Sequence, residues 1–395
     1  MVLGAVLEPL VVVTLLFGGA WVNRSGKGAV DVVVDDYPDD DDLEGKRRRS
    51  GSSSWSGSSD ATLATLSSTR KRRVRFLTWE ADLSTPNTAV FANRGLSRLL
   101  RKFPFLVEAW YWALIYWVYQ IARAVTALTL VEGTVHVARK HALQVIHLEQ
   151  RLGILMEPQI QRFFLSHPLL LHWTNRVYSF IHIPGTIFFL VSLFYLTTTT
   201  RRASPALYEA RRRSMAMCNL VAFVVFTVWP CMPPRLLSEA GYRGEDAEEA
   251  KGFGFVDTVH SKAGESSVWT TNRFCNQYAA MPSLHFGYSL LIGLTIATLP
   301  VPSLRWTSWK RISIVAVGIA YPTLIFTAIV ATANHFILDA VAGALVCAIA
   351  WHTNGLLLNL LVLEDYFLRL LRIHKPGNDE VLVGPDTRRL LKDEP

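Results

Sequence analysis

The sequence predicts an all-α membrane protein, a six-helix transmembrane bundle with an extra N-terminal span left open. Half of the 395 residues are hydrophobic. Six apolar stretches of about 20 residues or more, the length of a membrane-crossing helix, follow residue 106. Basic residues are grouped in alternate connections between these stretches. The net charge of +8 therefore indicates cytoplasmic loops rather than a nucleic-acid surface, and we expect no nucleic-acid partner.

The N-terminal segment 1–22 is apolar apart from Glu8 and has no charged residues before its apolar run. Two interpretations stay open: a signal-anchor that adds a span, or a signal peptide with Gly18 and Ala20 at its cleavage site. Residues 23–106 follow, with the blocks "DDYPDDDD", "KRRRSGSSSWSGSSD" and "RKRRVR". Because blocks of like charge and Ser/Gly repeats cannot bury a core, we expect a disordered arm.

The catalytic domain is predicted over residues 107–363, followed by a cytosolic tail over 364–395. Its six spans are expected at 107–131, 171–197, 214–232, 283–300, 312–332 and 336–363. Arginine and lysine clusters precede the first span, separate the second from the third and the fourth from the fifth, and follow the sixth. This alternation places 132–170, 233–282 and the turn near 333 on the luminal or extracellular side, with 132–170 as an interfacial helical stretch. An endomembrane of the Golgi or ER type fits best.

Polar side chains gather at the luminal ends of three predicted spans. Arg235 follows the third span, Ser283 and His285 open the fourth, and His335 and Asp339 open the sixth. A spacing of four residues places His335 and Asp339 on one helical face. A carboxylate there can keep one imidazole nitrogen protonated and direct the other outward, as in an activated histidine nucleophile or base.

This set of residues predicts chemistry at phosphorus. Arg235 can bind a phosphate through paired donors, assisted by Ser283 and the first amides of its helix. His335 can then attack phosphorus while His285 protonates the departing oxygen, and Asp339 orients the nucleophile. Taken alone, the H-x-x-x-D pair also fits half of a metal site. The predicted catalytic residues are thus His285, His335 and Asp339, with Arg235 and Ser283 binding phosphate.

Further polar residues extend the prediction outward. Asn276, Tyr278 and Asn334 lie close enough in sequence to supply neutral donors, or alternatively to cap helices. His182 lies inside the second apolar segment, where it either contacts the site or bonds across the bundle. Cys231 and Cys275 share one predicted side of the membrane, and both a disulfide and two free thiols remain open.

The stretches "AAMPSLHFG" and "ANHFILDAVAG" resemble the type 2 phosphatidic acid phosphatase superfamily. Within it, the chain looks most like the branch that contains inositol phosphorylceramide synthases and many uncharacterised fungal and actinobacterial membrane proteins. Pro282 to His285 match the family's P-S-x-H motif, and His335 to Asp339 match its H-x-x-x-D motif. The resemblance covers roughly residues 107–363. It implies a six-helix bundle, a phosphohistidine at His335, proton transfer by His285, and neither metal nor cofactor.

Two departures from the phosphatase pattern bear on the reaction. That pattern has a Lys seven residues before an Arg-Pro pair, where this chain has Val228, Arg235 and Leu236. It also has a Ser-Arg pair where this chain has Ala328 and Ile329. Because the synthase-like branch has similarly reduced motifs, we expect transfer of an inositol phosphate-like headgroup from a membrane phospholipid to a lipid alcohol such as ceramide. The alternatives are a lipid phosphate or diphosphate phosphatase and a non-catalytic lipid-binding membrane protein.

Overall fold

The computed structural model describes residues 2–25, 69–76, 78–129, 133–238, 246–260, 277–301, 304–305 and 307–375. The chain is mostly helical and divides into two compact units. The first unit is built from Met1–Val22 and Ala109–Gly355, and the second from Asn23–Glu108 and Leu356–Pro395.

The elements follow in chain order. Two strands and thirteen α-helices lie in the described residues: α1 (Val2–Val22), β1 (Thr69–Phe76), β2 (Trp79–Pro86), α2 (Gly95–Lys102), α3 (Phe105–Thr129), α4 (Gly133–Leu152), α5 (Glu157–Leu165), α6 (Pro168–Arg176), α7 (His182–Phe194), α8 (Pro205–Val228), α9 (Ala247–Gly252), α10 (Leu284–Thr298), α11 (Trp309–Ala331), α12 (Ile337–Thr353) and α13 (Leu361–Leu371). Wider π turns, Val177–Ile181 and Tyr195–Thr199, flank α7. Short 3₁₀ turns lie at Ala89–Phe91, Pro234–Leu236 and Asn354–Leu360.

Helical stretches long and apolar enough to cross a membrane number three in the described residues: Pro168–Thr199, Trp309–Ala331 and Ile337–Leu371. Shorter apolar helices are Leu7–Val22 and Leu284–Thr298. Each of the six predicted spans overlaps one or two helices, so the prediction that these segments are mostly helical is confirmed in their described part. The chain has the character of a membrane protein, and the count of six spans stays a prediction.

Helix α10 packs against α11, α12 and α8 in the first unit. Two close backbone approaches allow this packing. A side chain at Gly318 would meet the backbone of α10 at Gly293, and one at Gly343 would lie closer than 3.0 Å to the Ser283 carbonyl oxygen. Because glycine lacks a Cβ, the start of α10 lies directly against α12. The two helices that carry the predicted histidines are thereby brought together.

The arm predicted to be disordered over residues 23–106 is ordered in its described part. Strands β1 and β2 form an antiparallel hairpin, and α2 follows them. Arginines of β1 have acidic partners: Arg73 and Arg75 pair with Asp82 and Glu80 of β2, and Arg72 has a distant partner. Arg72 binds both carboxylate oxygens of Asp365 at 2.7 and 2.8 Å, and Thr85 donates to the same carboxylate. The C-terminal helix α13 packs with this hairpin in the second unit, and the predicted boundary at 363 stays a prediction.

Candidate active site

Three segments of the chain meet through backbone pairing at the site. The segment after α8 pairs with the segment before α10: the Cys231 amide donates to the Tyr278 carbonyl at 2.8 Å, and the Ala280 amide donates to the Cys231 carbonyl at 3.0 Å. The Arg235 amide then donates to the carbonyl of Ala333, in the turn between α11 and α12, at 2.9 Å. Ala333 adopts a left-handed backbone with φ of 50°. Backbone hydrogen bonds therefore bring the segment that carries Arg235 next to the turn that precedes His335.

The His335 ring is oriented chiefly by a backbone carbonyl. Its Nδ1 lies 2.8 Å from the Ala280 oxygen and 3.4 Å from Asp339 Oδ2. Because a carbonyl oxygen can only accept, Nδ1 carries a proton, and in the neutral imidazole the lone pair is then on Nε2. Asp339 is wholly buried, and its Oδ2 accepts the Phe336 amide at 2.9 Å. This carboxylate therefore caps α12 and flanks the imidazole, whereas the sequence predicted it as the main orienting group.

His285 lies beside His335 and is flanked by two further rings. The centroids of the two histidine rings are 5.8 Å apart, close enough for both imidazoles to contact one phosphoryl group. Tyr178 stacks on His285 at 4.9 Å, and the His182 ring lies 4.7 Å from it. The π turn Val177–Ile181 contains Tyr178 and ends one residue before His182. Such turns recur at functional sites because they redirect side chains.

Arg235 is partly buried, with its side chain 8% exposed, and is held by two partners. Its Nε donates to Asn334 Oδ1 at 2.9 Å, and a terminal nitrogen donates to Asp257 Oδ2 at 3.0 Å. Burial opposes ionisation of Asp257, but the His260 side chain and the Arg235 guanidinium outweigh it and hold the pKa of this carboxyl below its ordinary range. Asp257 is therefore a carboxylate that offsets much of the arginine's charge.

The loop that carries Asp257 is fastened on both sides by side-chain amides. Gln161 donates to the Val256 carbonyl at 2.8 Å and accepts from the Val256 amide at 3.0 Å. Asn175 donates to the Thr258 carbonyl at 3.2 Å and accepts from its hydroxyl at 3.1 Å. Because the Gln161 and Asn175 side chains each make two hydrogen bonds to this loop, they fix the position of Asp257 next to Arg235.

A protein-family model described as the PAP2 superfamily matches residues 143–353, more than half of the chain. The chain belongs to the PAP2 superfamily. No curated protein and no solved structure matches it. The match lies within the first unit and includes Arg235, His285 and His335, so the PAP2 superfamily character resides in the helical unit. Membership is compatible with phosphatase or phosphotransferase chemistry.

The remaining predicted residues of this PAP2 superfamily protein occupy different places. Ser283 is fully buried, caps α10 by accepting the Phe286 amide at 3.4 Å, and donates its own amide to the Asp339 carbonyl at 2.9 Å. Tyr278 packs against the apolar cluster around α4 and contributes its carbonyl to the strand pairing. Asn276 lies outside the described residues.

The described residues include one of the two cysteines considered for a disulfide and bear on the alternative of a metal site. Cys231 is a buried free thiol, and Cys275 lies beyond the part of the chain that the structure describes. Within that part, no three or more His, Cys, Asp or Glu residues form a group that could hold a metal ion.

Sequence reasoning missed Asp257 and the Ala280 carbonyl. Asp257 lies in the loop predicted to be luminal, whose sequence "GEDAEEAKGFGF" before Asp257 is typical of a solvent-exposed segment. The one sequence signal that could have indicated Asp257 is its position three residues before His260, in a loop on the side of the membrane predicted to hold the site. No sequence pattern could have indicated Ala280, because its contribution comes from the main chain.

Proposed function

We propose that this PAP2 superfamily protein is a lipid phosphotransferase that moves a phosphoryl-linked headgroup, of the inositol phosphate kind, from a phospholipid to a lipid alcohol such as ceramide. One observation carries the proposal: Arg235, which binds Asn334 next to His335, is already paired with Asp257. The argument is one of charge. A phosphodiester donor carries one negative charge, whereas a phosphomonoester carries close to two at neutral pH.

Apolar packing fills the position where a phosphatase of this superfamily has an additional cation. Ala328 and Ile329 are 1% and 0% exposed and pack with Tyr178 in one apolar cluster. Arg235, whose charge Asp257 already offsets, therefore suits a monoanionic diester better than a dianionic monoester, since unpaired charge is costly in a buried site.

The proposed reaction has two steps on the same histidine pair. His335 Nε2 attacks the donor phosphorus, and a P–N bond forms as the P–O bond to diacylglycerol breaks. The departing oxygen takes a proton from His285. The acceptor hydroxyl then gives its proton to His285 and attacks the phosphohistidine, and the P–N bond breaks. Arg235 stabilises the charge on the phosphoryl oxygens in both steps.

Burial supports a lipid alcohol, rather than water, as the acceptor. His335 is 6% exposed, Asp339 is fully buried, and aromatic rings flank His285. Exclusion of water protects a phosphohistidine from hydrolysis until an alcohol enters. We place the reaction at the luminal or extracellular face of an endomembrane, with both substrates supplied by the bilayer. Hydrolysis of a lipid phosphate is the second candidate, since superfamily membership is compatible with it.

The test is a paired assay on the full chain in liposomes. Fluorescent ceramide with phosphatidylinositol reports transfer, and phosphatidic acid reports phosphate release. His335→Ala is compared with His136→Ala, a control that removes an exposed histidine. A new phosphosphingolipid that His335→Ala abolishes and His136→Ala retains would support the proposal. Phosphate release without transfer would establish the phosphatase instead, and equal turnover by both variants would refute the role of His335.

A further inference from the structure

Two buried glutamates outside the histidine pair cap the helix that follows His335. Glu149 comes from the last turn of α4 and Glu157 opens α5, and both are 0% exposed. Glu157 Oε1 accepts the Ile337 amide and Glu149 Oε1 accepts the Leu338 amide, each at 2.8 Å. These are the first two residues of α12. Helix N-termini leave such amides without partners, and buried carboxyls satisfy them here.

The two glutamates must share one proton. Their second oxygens are buried, and among the described residues no group outside the pair donates to either of them. Burial, a hydrogen bond to the Glu157 side chain and the negative charges of Glu157 and Asp339 raise the pKa of Glu149 from its ordinary 4.5 to about 9. Glu149 is therefore a neutral acid near pH 7 and donates to Glu157. The Cys231 thiol is the other titratable group that faces Glu149.

We propose that Glu149 and Glu157 form a carboxylic acid–carboxylate pair that positions the nucleophile by fixing the first turn of α12. This inference rests on the proposed function, because it assigns the pair to the His335 reaction. With the Phe336 amide bound by Asp339, three carboxyl groups hold three successive amides at this helix end. One shared proton lets the pair supply two acceptors with one negative charge.

The link to His335 is short and rigid. His335 lies immediately before Phe336, the N-cap of α12, and its ring is held at the other side by the Ala280 carbonyl. A shift of the helix start therefore moves the imidazole relative to that carbonyl and to His285. Displacements of about 1 Å in a reacting group commonly cost on the order of 100-fold in rate.

Glu149→Gln and Glu149→Leu in the full chain separate positioning from general stability. The glutamine oxygen can accept from Leu338, and its amide N–H replaces the shared proton. We expect the wild type to lose activity near pH 9, and Glu149→Gln to keep the wild-type kcat at pH 7 without this alkaline fall. Glu149→Leu is expected to lower kcat at least tenfold with KM for the donor lipid little changed. A Glu149→Gln profile with the same alkaline fall would overturn the inference, even if the leucine variant does not fold.

A second measurement separates this inference from the transferase proposal. Since the folded pKa of Glu149 is raised, its stabilising contribution is complete below pH 4.5 and is lost as pH rises towards 9. The melting temperature of Glu149→Gln should therefore rise relative to the wild type between pH 5 and 9. This shift without any lipid transfer would leave the carboxyl pair standing and refute only the transferase. A constant difference in melting temperature would refute the pair itself.

Discussion

Asp257→Asn tests whether the charge of Asp257 selects the substrate. The substitution is nearly isosteric, and Asp257 Oδ1, which accepts the Val259 and His260 amides at 3.1 and 2.8 Å, has an equivalent in asparagine. The loop should therefore keep its structure while Arg235 loses its neutralising partner. We expect phosphomonoester hydrolysis to rise relative to diester transfer, because the released charge benefits a dianion more than a monoanion.

The magnitude follows from the geometry of the Arg235–Asp257 pair. Its atoms lie 3.0 Å apart, with side chains 8% and 22% exposed. Charges about 4 Å apart at an effective dielectric of about 20 interact by roughly 4 kcal/mol. Partial exposure and desolvation reduce this to the range of a hydrogen bond to a charged group, about 1.5–3 kcal/mol. At about 1.4 kcal/mol per factor of ten, the ratio of the two activities should change by at least about tenfold.

The assay measures kcat/KM for phosphatidic acid hydrolysis and for phosphatidylinositol-dependent transfer in the same liposomes. Glu249→Gln is the control, because it removes an equal charge from an exposed ion pair with His147. An unchanged ratio in Asp257→Asn, or an equal loss of both activities, would show that Asp257 only supports the loop. Because the pKa of Asp257 is lowered, its stabilising contribution is present above its unfolded pKa and is lost only in strong acid.

Two further predictions concern packing around the site. Gly343→Ala places a Cβ against the Ser283 carbonyl at under 3.0 Å, so the helices must separate and kcat should fall by roughly 100-fold, whereas Gly252→Ala, in open space, should be neutral in the same kinetic assay. Gln161→Leu leaves both backbone groups of Val256 without their partner, which should cost about 2 kcal/mol and raise hydrogen exchange at the Val256 amide; unchanged exchange there would contradict the clamp.

The helical spans and the histidine pair could be predicted from the sequence because both depend on local spacing. Apolar runs of sufficient length form helices in a membrane whatever their partners. The four-residue spacing of His335 and Asp339 likewise places them on adjacent positions at the start of α12. Arg235 could be placed near them only through the alternation of basic loops, which fixes the side of the membrane and not the contact.

Features that depend on distant partners could not be predicted. Arg72 lies in a block of like charge that reads as solvated, and its partner Asp365 is 293 residues away. Glu149 and Glu157 lie in "HLEQRLGILMEP", a pattern typical of an amphipathic surface helix. Their burial depends on α12 beginning its first turn against them. In each case the interaction joins residues that are far apart in sequence, so neither composition nor periodicity can predict it.

The orienting acceptor of His335 is a peptide carbonyl, which every amino acid at position 280 would supply. A mutational scan that replaces side chains one at a time would therefore record Ala280 as tolerant, apart from the volume its buried position allows. Substitution of Asp339 would lower activity by removing the cap of α12, although the tautomer of His335 is set by the Ala280 carbonyl. Side-chain mutagenesis would therefore attribute the orientation of the His335 ring to Asp339, although the Ala280 carbonyl provides it. Atom-level replacement of the peptide bond after Ala280 by an ester, which weakens its carbonyl as an acceptor, would reveal that task directly.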